Sequence, residues 1–138
     1  MSHINILSIV MDIIIIVLAV ILARDFWKHK KAGYKLITPS EFKSMYNSLD
    51  KNTEIIDLRS PTLFAKEKVF KSRNLNVYGG EFKKTLETLD ERKTFIVFAD
   101  KTNTTKHGAY LFCKAGVVKV YAVKGNWDKI KASGVTLK

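Results

Sequence analysis

An apolar stretch near the start of the chain constrains the fold more than any other feature. The 20 residues from Ile4 to Ala23 include 14 Ile, Leu or Val and a single charged side chain, Asp12. As a helix, 20 residues measure about 30 Å, the thickness of the hydrocarbon core of a bilayer. With these residues and a short basic junction set aside, about 105 of the 138 residues remain, which is one domain of ordinary size.

Asp12 opposes membrane insertion, but the aliphatic residues outweigh it. A central Asp costs about 2.5–3.5 kcal/mol, whereas each Ile, Leu or Val returns about 0.3–0.6 kcal/mol. A cleaved signal peptide would need a basic start and a small residue at position 21, whereas the start has no Lys or Arg and position 21 is Ile. We therefore expect residues 1–23 to be an uncleaved transmembrane anchor that contacts the lipid bilayer through residues 4–23. Asp12 is either tolerated in the membrane as a partly protonated side chain, or it contacts the helix of a partner membrane protein.

Basic residues follow the apolar stretch, whereas only His3 and the terminal amine precede it. This asymmetry predicts a single-pass protein of the cell membrane with its C-terminal domain in the cytoplasm. We expect residues 24–35 to form a basic juxtamembrane linker. Its cations either contact anionic headgroups or act only as a topology signal, and they are Arg24, Lys28, Lys30 and Lys31.

Strand and helix signals alternate from residue 36 to residue 138. Thr38-Pro39-Ser40-Glu41 has the pattern of a capped helix start, and Phe95–Ala99 has the composition of a buried strand. Helices are also expected over 81–89 and up to about Lys114, with a basic loop over 66–73 and a last strand over 118–123. The alternation predicts an α/β domain in which helices flank a parallel sheet.

A polar segment follows the predicted strand 95–99. Ligands of open parallel α/β sheets bind beyond the carboxyl ends of the strands, and a loop that enters a helix directs unpaired N–H groups at one point. We therefore expect an anion-binding loop here, with the helix beginning after it. The residues of this predicted loop are Ala99, Asp100, Lys101, Thr102, Asn103, Thr104 and Thr105.

Three motifs in the soluble part resemble those of the rhodanese-like (sulfurtransferase) domain family. Residues 56–61 are similar to the family's I-D-[VL]-R-[SE]-P, and residues 68–75 look like a degraded H-I-P-G-A-R-N-I. Residues 115–127 resemble the late A-G…V-x-x-L-x-G-G-W stretch. The resemblance covers residues 36–138 and implies the family's three-layer α/β fold. It also implies that Asp57 and Arg59, the D-x-R pair, tie the strand end to neighbouring loops.

The chain departs from the family at the active loop. The family pattern is V-x-Y-C-x-x-G-x-R-S, in which the cysteine carries the persulfide. Aligned without gaps, Ala99 occupies the cysteine position, and Thr102 and Thr104 stand where Gly and a basic residue are usual. An alanine methyl cannot replace a thiolate nucleophile. The resemblance therefore implies a rhodanese-like domain that lacks sulfurtransferase activity and acts as a cytoplasmic binding or scaffold module.

Cys113 is the only thiol in the chain and supports the alternative interpretation. It lies about two helical turns beyond Thr105, so we interpret it as a packed residue. A sulfurtransferase that uses Cys113 or a partner's thiol is the rival hypothesis.

Other ligands are not indicated. His107 has no Cys, Asp or Glu at ligand spacing, so we expect no metal and no cofactor. The net charge of +11 suggests nucleic acid, but without a recognition motif or stacking platform we expect no such partner.

Overall fold

The computed structural model describes residues 5–30 and 33–138, which form two separate units. The first unit is one helix, α1 (Ile6–Lys30). Ile4, at the start of the predicted anchor, and Lys31, in the predicted basic linker, lie outside the described residues. The second unit contains ten elements: β1 (Lys35–Ile37), α2 (Pro39–Asn47), β2 (Thr53–Asp57), α3 (Pro61–Lys66), β3 (Ser72–Asn74), α4 (Gly80–Glu87), β4 (Thr94–Phe98), α5 (Thr102–Lys114), β5 (Lys119–Val123) and α6 (Trp127–Ala132).

Helix α1 is long and apolar enough to cross a membrane over Ile6–Arg24. Its aliphatic side chains are distributed around the helix rather than along one face. A helix that lies flat in the membrane interface instead separates an apolar face from a charged one. The part of the basic segment up to Lys30 continues the same helix.

The five strands form one sheet in the order β1-β5-β4-β2-β3, and every pair is parallel. Their register places five residues in one row across the sheet: Lys35, Tyr121, Ile96, Ile55 and Ser72. All strands therefore begin at one edge of the domain and end at the other. The predicted parallel sheet flanked by helices is confirmed.

The sheet is covered on both faces, which makes three layers. On one face, α4 and α5 pack through Phe82 and Phe112, whose rings meet edge to face with centroids 5.8 Å apart. On the other face, α2 and α6 pack through Phe42 and Ile130. Because both cores consist of residues from the second unit, residues 33–138 have what they need to fold on their own.

Some predicted boundaries were wrong. Strand β3 at Ser72–Asn74 begins inside the segment 66–73 expected as a basic loop, because its backbone pairs with β2. Helix α4 covers Gly80–Glu87 and β5 begins at Lys119. The largest difference concerns α5, which begins at Thr102 rather than after Thr105. The capped start of α2 is confirmed, because the side chains of Thr38 and Glu41 cap each other's backbone N–H groups.

Candidate functional site

The predicted anion-binding loop lies at the edge of the sheet where the strands end. Strand β4 ends at Phe98 and α5 begins at Thr102, so only Ala99, Asp100 and Lys101 connect them. Ala99 is fully buried and belongs to the core cluster on the α5 face of the sheet. The methyl group at the position that the family resemblance assigns to the cysteine therefore lies in the core.

The first turn of α5 incorporates the rest of the predicted loop. The backbone N–H and the hydroxyl of Thr105 both donate to the carbonyl oxygen of Lys101, each at 3.1 Å. The hydroxyl oxygen of Thr102 accepts a hydrogen bond of 2.9 Å from the N–H of Gly125, in the segment after β5. These contacts fix Thr102–Thr105 as helix, so the loop is three residues long rather than seven.

Helix α5 lies close to the end of β2. A side chain at Gly108 would overlap Leu58, which is itself fully buried. The absence of a Cβ at this position therefore lets the helix approach the sheet directly below its first turn.

The charges around the start of α5 are mixed. No side chain caps the helix at Lys101, so the first N–H groups of α5 keep the positive end of the helix dipole. Lys101 is exposed and adds positive charge, but Asp100 is half-buried in the same loop and carries negative charge. An anion at this position would therefore meet both attraction and repulsion.

Beside this loop, Asp57 and Arg59 form a buried ion pair at the end of β2. The Nη2 and Nε atoms of Arg59 donate to Asp57 Oδ2 at 2.8 and 3.0 Å, and the backbone N–H of Arg59 donates to Oδ1 at 2.9 Å. The two side chains are 2% and 0% exposed. Burial raises the pKa of the Asp57 carboxyl above its ordinary value, and the hydrogen bonds from Arg59 oppose that rise.

Further contacts surround this ion pair. Arg59 Nη2 donates to the Glu67 carbonyl oxygen at 2.7 Å, and its guanidinium lies 3.6 Å from the centre of the Trp127 ring. The Trp127 ring also stacks on Phe98, and its Nε1 donates to Glu67 Oε1 at 3.2 Å. The amide of Asn74 donates to the carbonyl oxygens of Asp57 and Arg59, at 3.1 and 2.9 Å.

These hydrogen bonds and ring contacts connect the ends of β2, β3 and β4 with the end of α3 and the start of α6. The sequence did not indicate that Asn74, Glu67 and Trp127 take part in these contacts. Asn74 and Trp127 nevertheless belong to the motifs quoted above. Among the described residues, every buried side-chain nitrogen or oxygen has a hydrogen-bond partner. The buried polar groups at this edge of the domain are thus committed to contacts within the domain.

Cys113 lies at the far end of α5, in its last turn. It is 11 positions beyond Thr102, so about 16 Å of helix separates it from the loop. Its half-buried side chain packs against the core, and burial raises the pKa of the thiol. His107 is exposed on the same helix. Residues 5–30 and 33–138 contain no group of three His, Cys, Asp or Glu that could hold a metal ion.

The fold and this edge define an open parallel α/β domain with a short strand–helix loop beside a buried ion pair. The family model described as "Rhodanese-like domain" matches residues 38–133, which is more than half of the chain. The chain therefore belongs to the rhodanese-like domain family. No curated protein sequence matches it.

Solved structures agree with this assignment at the level of the fold. A rhodanese-like domain from Anabaena sp. superimposes with a TM-score of 0.65 and 17% identity, covering 75% of this chain and 77% of the other. A rhodanese-related protein from Thermoplasma volcanium gives 0.63 and 17%, covering 76% and 98%. A protein from Rhodopseudomonas palustris, described as a possible tyrosine phosphatase, gives 0.63 and 15%, covering 80% and 91%.

Proposed function

We propose that this protein is a membrane-anchored rhodanese-like protein that lacks sulfurtransferase activity. Its domain acts as a binding or scaffold module on the cytoplasmic side of the cell membrane. The observation that carries the proposal is the buried methyl of Ala99, at the position to which the sequence resemblance assigns the family's persulfide-bearing cysteine. Sulfur transfer requires a thiolate, and this position offers none.

The position of Cys113 supports the same proposal. A reactive thiolate is favoured near the start of a helix, where the dipole is positive, and disfavoured near its end. Cys113 lies in the last turn of α5, and burial raises the pKa of its thiol further. At neutral pH this side chain is therefore protonated and a poor nucleophile.

The early start of α5 also supports the proposal, because it shortens the loop that would surround a persulfide. A persulfide loop needs backbone N–H groups that surround the sulfur. Here Thr102 stands in the usual Gly position and its hydroxyl is held by Gly125, which joins the loop to the segment after β5. The exposed parts of Lys101 and Asn103 remain as the surface on which a small anion or an acidic segment of a partner would bind.

Intact-mass measurement tests the loss of activity. We expect residues 33–138 to gain no sulfur when incubated with thiosulfate or with a persulfide donor, while a family member that retains the loop cysteine gains one sulfur atom under the same conditions. Because Cys113 is the only thiol, a gained sulfur that disappears in Cys113→Ser would contradict the proposal. That result would support the rival sulfurtransferase.

Reporter fusions test the anchor and its orientation. We expect alkaline phosphatase fused after Lys138 to be inactive and a fluorescent protein fused there to fluoresce, because the basic residues after the span hold this side in the cytoplasm. Replacing Arg24, Lys28, Lys30 and Lys31 with Asn should allow a mixed orientation in which the phosphatase gains activity. An active phosphatase on the unaltered chain would show the opposite orientation.

A further inference from the structure

A cluster of aromatic and lysine side chains lies outside the strand–helix loop, on α3, on the segment before β3 and at Lys138. Lys68 Nζ is 5.0 Å from the centre of the Phe64 ring. Lys71 Nζ and Lys138 Nζ are 5.9 and 5.2 Å from the centre of the Phe70 ring. We call these five residues the aromatic–lysine patch.

The backbone holds this patch in place. Val69 forms an antiparallel bridge with Leu137, and Lys68 and Lys138 exchange two backbone hydrogen bonds of 3.2 and 2.8 Å. Phe70 and Lys71 directly precede β3, whose first residue lies in the same row of the sheet as Lys35. Phe70 and Lys71 therefore lie toward the edge at which the strands begin, opposite the edge that carries the loop.

Lys71 holds a strained backbone conformation within the patch. Its φ of 73° lies in the left-handed region, and it is the only non-glycine residue with positive φ among the described residues. The family motif that residues 68–75 resemble has Pro-Gly where this chain has Phe70-Lys71. Glycine adopts positive φ without strain, whereas lysine does not. The chain thus keeps the bend but places a lysine and an aromatic ring there, although glycine would be more stable at the bend.

Backbone strain of this kind is concentrated at functional sites, where the function of the residue outweighs the loss of stability. The Phe70 ring is 39% exposed, and Lys71 and Lys138 are exposed beside it. Glu67, the acid within the same segment, is already bound by Lys131 Nζ at 3.3 Å and by Trp127. The patch therefore presents apolar rings and positive charge together.

We infer that the aromatic–lysine patch binds the anionic surface of a bilayer. Aromatic rings favour the headgroup region, and lysine stems follow them while their ammonium groups meet lipid phosphates. Purely acidic peptides would use the charges but would gain little from the exposed Phe70 ring. The membrane in question is the one that α1 crosses under the function proposed above, and the patch is an additional contact made by the domain itself.

Vesicle sedimentation of residues 33–138 tests this inference without α1. We expect the domain to sediment with mixed phosphatidylcholine–phosphatidylglycerol vesicles and to stay in solution with phosphatidylcholine alone. Lys71→Gly should weaken partitioning about fivefold, as expected for one surface cation, and should raise Tm because the strain is relieved. Weaker binding by a more stable protein cannot result from unfolding.

Matched variants separate the patch from general charge. Lys71→Gln should weaken binding, and Phe70→Ser should weaken it further, whereas Lys83→Gln, which removes a cation from the exposed surface of α4, should leave it unchanged. Equal losses for Lys71→Gln and Lys83→Gln would overturn the inference in favour of nonspecific adsorption. If Phe70→Ser kept full vesicle binding and polyglutamate released the domain from vesicles, the inference would be overturned in favour of an acidic polypeptide as the partner. Each of these results would leave the proposed loss of sulfurtransferase activity untouched.

Discussion

Replacing Arg59 with Leu should destabilise residues 33–138 by about 3–5 kcal/mol at neutral pH, because it leaves the buried Asp57 carboxylate without its counterion. Arg59 makes three side-chain hydrogen bonds to that carboxylate and one to the carbonyl oxygen of Glu67. The two side chains are 2% and 0% exposed, so bulk solvent does not hydrate the carboxylate that the substitution leaves behind. Urea unfolding of the purified domain measures the change.

The cost of Arg59→Leu should also depend on pH. Burial already raises the pKa of Asp57, and the substitution removes the hydrogen bonds that oppose the rise. An acid whose pKa is higher in the folded state than in the unfolded state destabilises the fold as pH rises through the interval between the two values. The loss of stability should therefore shrink as pH falls from neutral into the acid range.

Arg92→Leu is the matched control for this substitution. Arg92 also pairs with an aspartate two positions away, but its side chain is 92% exposed. Exposed ion pairs contribute little to stability, so no measurable change is expected. If the two substitutions had equal effects, or if the cost of Arg59→Leu were the same at every pH, the buried ion pair would not be what holds this edge together.

Trp127→Ala should cost about 3 kcal/mol, at the low end for loss of a large aromatic side chain because Trp127 is only half-buried. Its ring contacts both Phe98, at a centroid distance of 5.9 Å, and the guanidinium of Arg59. The substitution therefore removes a ring contact from Phe98 in the core and another from Arg59 in the ion pair. Urea unfolding again measures the difference.

Trp127→Phe separates the ring from its hydrogen bond. Phenylalanine keeps an aromatic face for Phe98 and Arg59 but cannot donate to Glu67 Oε1, so we expect a loss of about 1 kcal/mol. The double variant Arg59→Leu, Trp127→Ala should lose less than the sum of the single losses, because the two side chains contact each other. Equal costs for Phe and Ala at position 127 would show that the hydrogen bond, rather than the ring contacts, matters most.

The sequence was sufficient for the architecture because the main signals are local. The run Phe95–Phe98 is apolar at every position, as expected for a central parallel strand that is covered on both faces. The start of α2 was also predictable, since Thr38 and Glu41 satisfy each other's backbone within four residues.

The start of α5 depends on contacts that are distant in sequence. Threonine and asparagine are poor helix formers that favour caps and loops, so residues 102–105 indicated a longer loop. The hydroxyl of Thr102 instead accepts a hydrogen bond from Gly125, 23 positions later, and Thr105 is buried against the domain. Asn74 was missed for the same reason, because the two carbonyl groups that it binds lie 17 and 15 positions earlier.

The burial of Ala99 has a consequence for any attempt to build catalysis into this loop by substitution. Ala99→Cys would place the Cβ atom of the new side chain in the core cluster that includes Ala109 and Phe112. Recovery of catalysis would also require the first turn of α5 to unwind and Thr102 to release Gly125. Under the proposed loss of activity, Ala99→Cys alone should therefore not restore sulfur transfer, because the first turn of α5 would have to change with it.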